Sequence, residues 1–174
     1  MVKITDDYST DKAAFDKAAI KVPSYNQKDV TAKTLESPHW VHFGGGNLFR
    51  AFHAGIASHL IDAGKADTGI IVAETSDDPV VSDIYGKYNN RILRVITKAD
   101  GTQDRELFGS VAKAIYAGPA TQDASGFEEL KRIFEKDSLQ VASFSITEKG
   151  YHLKNGAGEY FPPVARDLEN GPAK

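Results

Sequence analysis

Cysteine is absent from the 174 residues, which excludes a disulfide framework, thiolate metal sites and a cysteine nucleophile. Strong charge of either sign is missing too. The 21 basic and 24 acidic residues leave a net charge of −3, with no basic block to act as an electrostatic footprint on nucleic acid. No apolar run approaches the ~18 residues needed to span a bilayer. The opening "MVKITDDYSTDKAAFDKAAIKVP" contains acidic residues and no apolar h-region, so it reads as neither a secretory signal nor a transit peptide. These absences predict a globular protein of the reducing cytoplasm, with no nucleic-acid partner and no membrane association. The length suits one core that buries roughly two-thirds of the unfolded surface.

What is present divides at residue 38. Residues 1–38 are polar, with one predicted helix around Asp11 to Ile20 ended by Pro23, and they read as an arm packed outside the domain. From His39 onward, short apolar runs alternate with amphipathic segments of helix length. That alternation predicts an α/β fold, a Rossmann-like doubly wound, mostly parallel sheet over residues 39–174. "WVHF" is its first strand, "GIIVAE" (Gly69 to Glu74) its second, and "LQVASFSIT" (Leu139 to Thr147) its third long apolar strand.

Between them, "NLFRAFHAGIASHLIDAGK" is read as a helix whose apolar face holds Leu48, Phe52, Ile56 and Leu60 and, near them, Phe49 and Ala63, stopped by Gly64. "PVVSDIYGKY" is expected to be a short helix capped by Asp77 or Asp78, with Pro79 at its first position. "RILRVIT" and "QDRELFGSVAKAIY" are expected to be two strands around an Asp100-Gly101 turn, a β-hairpin serving as insertion or sheet edge. "FEELKRIFEK" is a surface helix with Phe127, Leu130, Ile133 and Phe134 inward. The chain after Tyr151 reads as loop-rich.

Gly44, Gly45 and Gly46 sit where the first strand turns into the long helix, which is the context of a dinucleotide-binding turn. Gly44 would make the tight turn, and Gly46 would let the backbone approach a pyrophosphate at the helix start near Asn47. Phe49 replaces the third glycine, so the helix is expected to sit further off or swing outward. Arg50 opposes the helix dipole in the first turn, which fits an anion nearby. Glu74 ends the second strand, where a carboxylate accepts hydrogen bonds from ribose hydroxyls and repels a 2′-phosphate, favouring NAD over NADP. The bland readings stay open: a turn without a ligand, a surface arginine, and a polar strand end, with Asp77 and Asp78 as substitutes for Glu74.

The histidines are off-register for a shared metal. His39 and His42 fall on opposite strand faces, and His53 and His59 are six apart on a helix. The serines of "ASFS" are expected to be satisfied within the fold.

"VHFGGGNLFRAFHA" resembles the G-x-G-x-x-x-R opening of the mannitol dehydrogenase family, the polyol-specific long-chain dehydrogenases. "SFSITEKGYH" resembles that family's second signature, and its "TEKGY" form and the closing "DLENGPAK" are similar to the fructuronate reductases within it. The resemblance runs from about Trp40 to the end. It implies an NAD-dependent enzyme acting on a sugar acid or polyol, with Gly44, Gly45, Gly46, Asn47, Leu48, Phe49 and Arg50 around the cofactor. It also implies that Thr147 and Glu148 lie near the nicotinamide. The family's catalytic lysine, with asparagine and histidine partners, is expected in a helical C-terminal domain beyond Lys174, so no catalytic residue is assigned here. A free-standing nucleotide-binding regulatory module is the alternative.

Overall fold

A computed structural model describes residues 2–75, 79–118, 124–146 and 148–171. Its centre is a parallel sheet of β2 (Trp40–Phe43), β3 (Ile70–Glu74), β6 (Val111–Tyr116) and β7 (Val141–Phe144), in the spatial order β6-β3-β2-β7. The chain moves outward from β2 through β3 to β6, then crosses back to lay β7 on the free side of β2. That reversal is the switch point of a doubly wound fold.

Both faces of the sheet are covered, and strand alternation divides the core between them. Ile70 and Val72 face a cluster with Phe49, Ala54, Ala57, Tyr85 and Phe108, while Ile71 and Ala73 face Val41, Ile115, Leu130 and Ile133. The first face is covered by α3 (Ala54–Asp62), the second by α4 (Ser125–Phe134).

The hairpin of β4 (Ile92–Thr97) and β5 (Gln103–Phe108) turns at Lys98–Thr102. It lies outside the main sheet, in a second sheet with the short β1 (Ile20–Lys21) in the order β1-β5-β4. The expected long second hairpin strand is therefore two strands in two sheets. They separate at Gly109-Ser110, where the Gly109 N–H donates to the Tyr25 hydroxyl and Ser110 Oγ donates to the Ala54 carbonyl.

Four further expectations change. The early helix is shorter, α1 (Lys12–Lys17), and a second helix, α2 (Gln27–Glu36), follows it. Its apolar content is too low to announce it. It is held by the Asn26 cap, whose Oδ1 accepts the Lys28 N–H, and by buried Thr34, whose Oγ1 accepts the Gly69 N–H at 2.7 Å. Tyr8, Phe15 and Val30, all before residue 38, are buried. β7 is shorter than the apolar run suggests and half-exposed, because it is the sheet edge. The tail after Tyr151 contains α5 (Pro162–Asn170), started by the two prolines and without a buried residue.

The long helix after β2 presents a different face from the expected one. Of the residues expected inward, Phe49 is buried, but Ala63 is exposed and Leu48, Phe52, Ile56 and Leu60 are 40% to 62% exposed, while Ala54, Ala57, Ser58 and Ile61 are buried in their place. The first turn, Phe49–His53, is π-helical. A wide turn moves the inward position from Phe49 to Ala54, a step of five, after which the inward residues resume helical spacing. A uniform 3.6-residue period selects the wrong stripe. A Cβ on Gly55 would meet the Phe108 ring at 3.0 Å, so the small residues at 54, 55 and 57 let this helix approach β5 of the hairpin closely. Of the α4 residues expected inward, Leu130 and Ile133 are buried, but Phe127 and Phe134 are exposed. The stop at Gly64 is as expected, with φ +64°.

Candidate functional site

The carboxyl ends of β2, β3 and β7 open on the same edge of the sheet, and a cleft of about 630 Å³ lies there, at the switch point. Gly44, Gly46, Asn47, Leu48 and Glu74 line it, together with Thr75, Phe144, Ser145 and Ile146. The sequence brings five of its candidate residues into one cleft. The end of β7, where the family resemblance puts Thr147 and Glu148, also brings Phe144, Ser145 and Ile146 to the cleft, and no motif singles those three out.

Gly44 has φ +104°, where a side chain is strained, and a Cβ there would meet Ser145 Oγ at 2.8 Å. Its N–H donates to the Ala73 carbonyl. A Cβ on Gly46 would meet nothing within 4 Å, so this glycine faces open space just before the helix begins at Asn47. Glu74 reaches the turn from β3, its Oε2 accepting the Gly45 N–H at 3.0 Å and its Oε1 accepting the Thr75 N–H at 3.0 Å.

Arg50 Nη1 donates to the Gly45 carbonyl at 2.6 Å, and Nη2 donates to Asn47 Oδ1 at 2.5 Å. The buried Tyr85 hydroxyl donates to the same carbonyl at 2.8 Å, and burial raises its phenol above the ordinary value. Phe49 lies under the turn, fully buried and stacked on His42. Glu148 opens a 3-10 turn, Glu148–Tyr151. Thr147, Asp77 and Asp78 lie outside the described residues.

His42, which the sequence suggests only as a poor metal ligand, is fully buried beneath the glycine turn. Its nitrogens are satisfied by Ser143 and Ser145, the serines of "ASFS". Burial, and then the neighbouring His53, lowers its pKa to about 4.

Comparison with known proteins fits this geometry. No protein-family model matches the chain. A D-mannonate oxidoreductase of Thermotoga maritima is 42% identical over 162 residues, 93% of this chain and 30% of that protein. This chain is a relative of D-mannonate oxidoreductase. An uncharacterized oxidoreductase of Escherichia coli K12 is 27% identical over 86% of this chain and 29% of its own length. The chain thus spans about three-tenths of the curated relatives it matches.

Two solved structures share the fold. D-sorbitol dehydrogenase in substrate-free form superposes with a TM-score of 0.66 at 22% identity, covering 90% of this chain and 31% of that one. The Pseudomonas fluorescens mannitol 2-dehydrogenase ternary complex with NAD and D-mannitol gives 0.67 at 19% identity, over 88% and 30%. The fold is therefore Rossmann-like, as its strand order indicates.

Proposed function

We propose that this chain is the dinucleotide-holding part of an oxidoreductase that moves a hydride between NAD and a secondary alcohol of a sugar acid or polyol. D-mannonate with fructuronate is the favoured pair, and mannitol with fructose the next. The observation that carries the reading is the cleft at the switch point, with Gly46 offering backbone and no side chain at its floor. A phosphate needs that close approach to backbone at a helix start.

Gly44, Gly45, Gly46, Asn47, Leu48 and Arg50 are assigned to the pyrophosphate side, with buried Phe49 supporting the turn from beneath. Glu74 is assigned to the ribose hydroxyls, and Thr147 and Glu148 to the nicotinamide end. Residues 39–174 are assigned the dinucleotide site, and residues 1–38 complete the fold around it through β1 and α2. NAD, when bound, supplies the nicotinamide carbon that accepts the hydride. The chain's own residues bind and orient. Arg50 and Tyr85 fix the Gly45 carbonyl from inside the turn, which leaves Gly46 turned to the cleft. Glu74, already aimed by two backbone N–H groups, offers negative charge where a 2′-phosphate would sit, so NAD is preferred over NADP.

Fluorescence titration with NADH, alongside an assay of mannonate oxidation, tests both halves. Saturable NADH binding without turnover is expected. Robust mannonate oxidation by the 174-residue chain would overturn the division of labour.

A further inference from the structure

His42 lies in the middle of β2, and the dinucleotide reading gives it no part. Its ring packs against those of Phe49 and His53, with each centroid 4.5 Å away. Its Nδ1 is 2.8 Å from Ser143 Oγ and its Nε2 is 3.0 Å from Ser145 Oγ. The two ends of this chain of bonds each run in one direction. Trp40 Nε1 can only donate, and does so to Ser143 Oγ at 2.6 Å. The Gly44 carbonyl can only accept, and does so from Ser145 Oγ at 3.3 Å.

A hydroxyl has one proton to give. Ser145 gives its proton to Gly44 and so takes one from Nε2. Burial keeps the imidazole neutral, which leaves Nδ1 the acceptor of the Ser143 hydroxyl, itself accepting the indole proton. Every donor then points from Trp40 toward the turn.

We propose that His42 is a positioning residue: through Ser145 it sets the plane of the Gly44-Gly45 peptide, and with it the backbone that meets the cofactor's phosphates. The inference rests on the dinucleotide reading of the cleft. A trans peptide is planar, with its carbonyl and N–H on opposite edges. Here Ser145, at the end of β7, holds the carbonyl edge, and Glu74, at the end of β3, holds the N–H edge. The peptide is clamped across three adjacent strands, and β2, the middle one, carries the histidine that ties the β7 side in place.

Nitrogen-detected NMR of the isotopically labelled 174-residue chain reads the tautomer directly. The Nε2–H form is expected, and an Nδ1–H form or an imidazolium at neutral pH would overturn the inference. In Ser145→Ala, Gly45 amide exchange is expected to accelerate and the NADH dissociation constant to rise, each by about five- to tenfold. Ser145→Thr, which keeps the hydroxyl, restores both. Unchanged Gly45 exchange in Ser145→Ala contradicts the clamp. NADH binding that is intact in Ser145→Ala contradicts the positioning role while leaving the dinucleotide reading standing. If the unmodified chain binds no NADH, the dinucleotide reading falls and the positioning role with it; the tautomer and Gly45 exchange then still decide whether the clamp exists.

Discussion

Glu74 Oε2 accepts the Gly45 N–H at 3.0 Å, which fastens the end of β3 to the turn that follows β2. One carboxylate thereby serves the fold and faces the cleft. Glu74→Gln keeps an acceptor for Gly45 and removes the charge. It is expected to leave the fold intact and to raise NADPH binding relative to NADH by about tenfold, as relief of a like-charge contact should. Parallel titrations with the two nucleotides read this out, and an unchanged ratio would separate Glu74 from the ribose.

Gly44 and Gly46 differ in what a methyl group would meet. Gly44→Ala forces a side chain to φ +104° and onto Ser145, so it should cost about 1–3 kcal/mol in stability as well as cofactor binding. Gly46→Ala meets nothing within 4 Å in the free protein. Its unfolding midpoint should stay near that of the unmodified chain while NADH affinity falls at least about tenfold, the scale of losing close backbone approach to a charged group.

The π-helical turn makes a stability prediction that opposes the simple periodic reading. Phe49→Ala should cost about 3–5 kcal/mol, because its ring is fully buried. Phe52→Ala, on the stripe that periodicity places inward, should stay within about 0.5 kcal/mol. Chemical denaturation of the two variants decides which face is the core.

His42 gives stability a pH dependence. Its folded pKa, near 4, lies below its unfolded value of 6.5, so between them the unfolded chain binds more protons. Its contribution is complete above pH 6.5, falls as pH drops toward 4, and is flat below. The slope in that window should approach about 1.4 kcal/mol per pH unit and be absent in His42→Gln. Denaturation midpoints of the two proteins across the window measure it.

The sequence makes the strands β2 and β3 and the turn between β2 and its helix legible, because buried parallel strands read as short apolar runs and three glycines have few other uses. Glu74 follows from its place at a strand end. The inward face of the long helix is hidden, since one five-residue step between Phe49 and Ala54 shifts the period. The His42 network is hidden for a different reason. Its serines lie 101 and 103 residues away, and only the crossover that lays β7 beside β2 brings them to the ring.

The most direct test of the dinucleotide reading is NADH titration of the 174-residue chain beside its Gly46→Ala variant, followed by nicotinamide fluorescence. Saturable binding by the unmodified chain, lost in Gly46→Ala at equal thermal stability, is the predicted result. No binding at millimolar NADH, or equal binding by both proteins, would contradict it.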